Sequence, residues 1–266
     1  MRLSYLFPVV LLSFSSISFA ADNQLTPAEK AAGWKLLFDG STYSNWEDPS
    51  KKSPPGDSFT IENGCIRAVA HPQIDEELFS SELFGDFELE WDWKLAHAGN
   101  SGVKYRIQDH LFLAQQRTAR FEDLVQLSFE PRQARRARGQ DYVVGFEYQM
   151  VDNTSNPDAT RGGKLHQAGA LYDVEEPSQD ATKPVGEFNH SRIVLRGDHV
   201  EHWMNGVKVV DASLKSPRVA EAMTKRWGAG SHVEKLLVER PRARCPISLQ
   251  NHGDDASFKN IKIKPL

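Results

Sequence analysis

Along most of this chain, hydrophobic and polar positions alternate with a period of two, the repeat of a strand with one buried face. Gly145 to Asp152 is the cleanest case, with Phe146, Tyr148 and Met150 on one side and Glu147 and Gln149 on the other. A strand with a carboxylate and an amide on its polar side can floor a cleft if its neighbours do likewise. Phe87, Leu89, Trp91, Trp93 and Leu95 alternate with Glu88, Glu90, Asp92 and Lys94 in a long half-buried strand. Val103, Tyr105 and Ile107 alternate with Lys104, Arg106 and Gln108 in the next, entered through Gly99-Asn100-Ser101-Gly102, where Asn100 serves a turn. Asn63-Gly64 and Asn205-Gly206 each lie between two apolar runs, the strongest short hairpin signal. The final strand pair is expected at Ile247 to Gln250 and Phe258 to Ile263. Thr26-Pro27-Ala28-Glu29 has the form of a helix start with a capping box, and the helix should stop near Gly33. Two stretches break the alternation, at about 110–141 and 217–244, and read as insertions. The pattern predicts one all-β domain over 21–266, an antiparallel sandwich with a few short helices in the insertions.

Composition narrows the partners. The chain has 266 residues, 32 basic against 36 acidic, so it is mildly acidic, which disfavours nucleic acid and anionic membrane. Residues 1–20 run from a single Arg through an apolar stretch to Ser18-Phe19-Ala20, the layout of a cleaved export signal. The expectation is an exported protein, periplasmic or extracellular, without stable membrane insertion. Cys65 and Cys245 are the two cysteines, and two readings stand, one disulfide or two buried thiols. Arg117, Arg120, Arg132, Arg135, Arg136 and Arg138 crowd the first insertion, and the solvated-face reading is preferred to an anion-binding patch. His199 and His202 are three apart, which on a strand puts them on opposite faces and makes them a poor chelating pair.

No Gly-x-Ser-x-Gly, P-loop, dinucleotide glycine motif or His-Glu-x-x-His is present. An ordered set of weaker motifs is. Trp34-Lys35-Leu36-Leu37-Phe38-Asp39-Gly40, Asp86-Phe87-Glu88-Leu89, Asn100-Ser101-Gly102, Gly145-Phe146-Glu147-Tyr148-Gln149, Gly169-Ala170-Leu171-Tyr172, Gly186-Glu187-Phe188-Asn189, Asn205-Gly206, Ile247 to Gly253 and Phe258 to Leu266 follow one another along the chain. Together they resemble the 3-keto-disaccharide hydrolase domain family. The resemblance implies a concanavalin A-like jelly-roll sandwich and action on glycosides already oxidised to a ketone at carbon 3.

Such a ketone acidifies the hydrogen on carbon 2, so a base can remove it, the aglycone leaves carbon 1 by elimination, and water adds back. The implied site needs a base, an enolate stabiliser and an acid near the leaving group. Glu147 is the expected base, with Gln149 beside it to orient sugar hydroxyls; its duller reading is a strand carboxylate paired across the sheet. Arg106 and Lys104 are the expected fixed charges for the enolate, and His252, next to Gln250, the acid or ligand. Asp92 and Asp152 are second-line carboxylates, and Tyr172 and Asn189 are expected to contact the sugar. No cofactor is certain; a divalent metal on His252 and carboxylates is the alternative to Arg106. The partner is an oxidised carbohydrate. The competing readings are a non-catalytic carbohydrate-binding module and, lower, a glucanase with two carboxylates. Oligomeric state is not legible in the sequence.

Overall fold

The computed structural model describes residues 21–48, 56–72, 76–114, 139–239 and 241–266. The export-signal expectation for residues 1–20 and the arginine cluster from Arg117 to Arg138 lie outside the described residues. Helix α1 (Pro27–Ala31) begins as expected: the Thr26 side chain accepts from Glu29 N while the Glu29 carboxylate accepts from Thr26 N, closing the capping box.

The strands are β1 (Lys35–Leu36), β2 (Trp46–Glu47), β3 (Phe59–Glu62), β4 (Cys65–Ala68), β5 (Leu78–Ser80), β6 (Phe87–Leu95), β7 (Asn100–Ala114) and β8 (Gly139–Val151). After α2 (Pro157–Gly162) come β9 (Asn189–Arg196), β10 (His199–Met204) and β11 (Val207–Ser213). Helices α3 (Pro217–Trp227) and α4 (His232–Glu234), with a π-helical stretch at Lys235–Glu239, precede β12 (Ser248–Leu249) and β13 (Ala256–Pro265). They form an eight-stranded sheet, ordered β11-β10-β9-β6-β13-β4-β3 with β1 on β13, and a five-stranded sheet, ordered β2-β5-β12-β7-β8. All the pairings are antiparallel, which is the predicted jelly-roll sandwich.

Both hairpin dipeptides do what their sequence requires. Asn63 and Gly64 have φ of 51° and 72°, and Asn205 and Gly206 48° and 84°, the left-handed pair of a tight hairpin turn. Three expectations are corrected. Asn100 to Gly102 are the first residues of β7 and not a turn. The last two strands do not pair with each other, since β12 lies between β5 and β7 while β13 lies between β6 and β4. The first insertion is partly a continued hairpin, because β7 and β8 stay paired out to Ala114 and Gly139. Cys65 and Cys245 are both buried and both free, which decides for the thiol reading.

The core fills the space between the sheets, and the inward face of β8 is fixed there by polar as well as apolar contacts. Trp91 meets Tyr148 edge-on at 5.0 Å between ring centres. The hydroxyls of Tyr148 and Ser191 bond at 2.8 Å, and Trp93 Nε1 donates to Ser191 at 2.7 Å. His202, fully buried on β10, bonds Tyr105 Oη through Nε2 at 2.9 Å and Gly169 O through Nδ1 at 3.0 Å. A carbonyl can only accept, so Nδ1 carries the proton and Nε2 accepts from the tyrosine in the neutral imidazole. A satisfied polar bridge of this kind fixes β7 against β10 more tightly than apolar packing alone.

Burial drives the pKa of His202 down to about 4. In the unfolded chain it titrates near 6.5, so its contribution is complete above that pH and is lost as pH falls from about 6.5 to about 4. The expected loss is about 3 kcal/mol across that window. Thermal melts of the wild type and of His202→Gln, which keeps a donor and an acceptor but does not titrate, measure it: the variant's melting temperature should depend less steeply on pH there.

Candidate active site

The outward face of the five-stranded sheet carries the site. Lys104 on β7 is directly opposite Glu147 on β8 and Ser248 on β12, so the three side chains project side by side from adjacent strands. Lys104 Nζ donates to Glu77, immediately before β5, and lies 3.9 Å from Glu147 Oε2. Ser248 Oγ donates to the other oxygen of Glu77. With its amide oxygen towards Lys104 and its nitrogen towards Glu147, Gln250 spans the pair at 3.1 and 3.3 Å. The Lys104 side chain is 10% exposed and that of Glu147 14%. One ammonium is therefore shared between two carboxylates in a largely dry place. Burial pushes the Glu147 pKa above the ordinary carboxylate range, and the charges of Lys104, His252 and Arg226 offset this only in part. A carboxylate with raised proton affinity is a better base than a solvated one.

These residues floor a cleft of about 850 Å³, including the space open to solvent, within the range of small-molecule sites. Its walls come from elsewhere in the chain. Residues 169–172 pair with the outer edge of β8: Gly169 N donates to Gln149 O at 2.8 Å, Gln149 N to Ala170 O at 3.1 Å, and Tyr172 N to Glu147 O at 3.1 Å. That covers a strand edge and places Tyr172 beside Glu147. Asp158, at the start of α2, accepts from Gln149 Nε2 and Tyr172 Oη, both at 3.3 Å, and bonds His166 Nδ1 at 2.7 Å. His166 Nε2 bonds Asp173 at 2.8 Å, and Asp173 accepts from Arg226 of α3 at 2.5 Å. The Arg226 guanidinium lies 5.5 Å from the ring centres of both Tyr172 and Trp227. Met223, Trp227, Val233 and Leu237, all from the second insertion, complete that wall.

Glu147, Lys104, Gln149, Tyr172, Gln250 and His252 all line this cleft. His252 stands exposed at its rim, on a loop held by Asn251, whose amide donates to Ser58 O at 2.6 Å and Val69 O at 3.1 Å. Four expected residues are elsewhere. Arg106 sits at φ 53° where the β7–β8 register slips between Tyr105 and Asp109. That bulge breaks the alternation and turns its guanidinium to Gly197 O and to within 4.0 Å of Asp198, on the β9–β10 turn. Asp92 is on the outer face of the larger sheet, bonded to His190 Nδ1 at 2.7 Å and Asn260 Nδ2 at 2.6 Å. Asn189 accepts from Lys183 N and Asn205 Nδ2, both at 2.8 Å, and so ties a loop to the second hairpin. Asp152 caps the turn after β8. Burial alone would raise its pKa, but bonds from Thr154 and Ala98 N prevail and hold it at about 2.

Sequence reasoning missed Glu77, Asp158, His166, Asp173 and Arg226. They lie on loops and helix ends without the period-two signal, and their convergence depends on tertiary structure. Asn100, expected to serve a turn, lines the cleft with a buried Oδ1 that has no protein partner among the described residues, an acceptor that a bound hydroxyl could complete. The described groups spaced to hold a cation are His199, Glu201 and Asp211. None lines the cleft, and Lys208 already donates to both carboxylates, so a cation is in place there. They do not supply the metal alternative expected with His252.

A protein from Bacteroides thetaiotaomicron named 3-keto-disaccharide hydrolase is 31% identical to this chain, over 97% of it and 87% of the relative. A glycosyl hydrolase structure from Parabacteroides distasonis superposes with a TM-score of 0.67 at 26% identity, covering 92% of this chain and all of that one. A second structure from the same organism gives 0.58 at 24% identity over 88% and 99%, a likeness of fold. The sequence profile of the 3-keto-alpha-glucoside-1,2-lyase-like domain matches residues 33–264, and the chain belongs to that family.

Proposed function

We propose that this protein cleaves the glycosidic bond of 3-keto-glycosides by elimination followed by hydration, and that it works outside the cytoplasm. The observation that carries the reading is a buried Glu147 of raised proton affinity, 3.9 Å from the Lys104 ammonium on the floor of an open polar cleft. Family membership and the name of the B. thetaiotaomicron relative support the substrate class; the leader-like residues 1–20 support export.

Glu147 removes the proton from carbon 2, and the electron pair passes through the enolate, whose negative oxygen is stabilised by a fixed cation. Lys104 takes the role expected of Arg106, because it is the cation beside the base. The electrons then return to form the carbon 1–carbon 2 double bond as the aglycone oxygen departs, accepting a proton from His252 at the rim. Water adds to carbon 1, giving up one proton to His252, and Glu147 returns its proton to carbon 2, so both groups are restored and the net change is hydrolysis. Gln149, Tyr172, Gln250 and Asn100 hold the ring hydroxyls.

Purified protein should release the aglycone of a chromogenic 3-keto-glucoside and leave the unoxidised parent intact. Glu147→Gln should lower kcat by about 10²–10⁴-fold while still binding the keto-sugar. Release from neither substrate, with glycan binding retained, would favour the carbohydrate-binding module.

The shared ammonium sets the pH range. Glu77→Gln removes one of the two carboxylates that divide the Lys104 charge, leaving more of that charge to Glu147 and favouring its ionised form. The acid limb of kcat/KM should therefore move to lower pH in Glu77→Gln. A limb that stays in place would separate Glu77 from the titration of the base.

A further inference from the structure

Gly102 lies mid-floor on β7, opposite Gln149 on β8, and its carbonyl accepts from Gln250 N at 2.9 Å. Its backbone is outside the left-handed region, so no turn or positive φ asks for glycine. Glycine inside a strand weakens it, by loss of side-chain packing and by the entropy of a freer unfolded chain. The space above its Cα accounts for it. A Cβ there would fall well inside van der Waals contact of Glu147 Oε1 and 3.0 Å from both Cγ and Cδ. The outer half of the Glu147 side chain lies flat over Gly102, which holds its carboxylate between Lys104 and Gln250.

We propose that Gly102 is a positioning residue for the base, a role that rests on the reading of Glu147 given above. The missing side chain is the cradle that lets the carboxylate lie down on the sheet. Any larger residue lifts it away from Lys104 and towards the cleft mouth. The atoms that a Cβ would meet belong to one flexible side chain and not to backbone, so the sheet itself accommodates the change while the base does not.

The test is Gly102→Ala in the full-length protein, assayed on the chromogenic 3-keto-glucoside beside Glu147→Gln. The expected result is an unchanged or raised melting temperature, a kcat lowered by roughly 10²-fold with KM little altered, and a displaced acid limb in the kcat/KM profile. Glu147→Asp, which withdraws the carboxylate by one methylene, should cost much less when combined with Gly102→Ala than in the wild type, because the two residues share one space. Wild-type kcat in Gly102→Ala, or strictly additive losses in the double variant, overturns the positioning role while the base stands. Full turnover by Glu147→Gln overturns the assignment of the base and this inference with it.

Discussion

One buried ammonium between two carboxylates is the constraint on which the site depends. Lys104 cannot be withdrawn from Glu77 and Glu147 without leaving charge stranded in a place of low polarity, and breaking a buried pair by removing one partner commonly costs about 3–5 kcal/mol. Burial raises the proton affinity of Glu147, which lines the cleft, and the charge of Lys104 offsets this only in part. The raised proton affinity of Glu147 thus follows from its placement beside Lys104 in a dry floor by the pairing of β7 and β8.

That placement holds only if the strands keep their register, and the opposite face of the same strands secures it. Phe146, Tyr148 and Met150 point into the sandwich while Glu147 and Gln149 point out. A slip of one residue would exchange the two sets. The hydroxyl of Tyr148 on Ser191, and Tyr105 on His202, make the slip more costly than apolar packing would, since each misplacement would strand a buried polar group.

Much of this was legible in the sequence because strand alternation is local. The long strand Phe87–Leu95, both Asn-Gly hairpins, the capped first helix and the Glu147 strand all follow from nearest-neighbour chemistry. Period two also predicted Lys104, Glu147 and Gln149 on one polar face. It failed at Arg106, because a bulge is a property of the β7–β8 pairing and leaves no mark in the spacing of apolar residues. It failed at Asp92 for another reason: a two-sheet sandwich has two outward faces, and alternation cannot tell which of them is the cleft; Asn189 is on the buried side of β9, where it ties a loop to the second hairpin. The Asp158–His166–Asp173–Arg226 chain was invisible because its members lie on separate loops and helix ends. The mid-strand glycine was in plain sight in Asn100-Ser101-Gly102, but without the position of Glu147 it could only be read as part of a turn.

The cleft is assembled from two kinds of sequence. Its floor belongs to paired strands whose hydrogen bonds fix every residue to its neighbours, whereas the wall of Met223, Arg226, Trp227, Val233 and Leu237 hangs on the chain between β11 and β12 and contributes no strand to either sheet. The strands and the wall are therefore separately heritable. Substitution can reshape what the wall admits without disturbing the register that sets Glu147 beside Lys104, so related chains can differ in the ligands they take while keeping one floor.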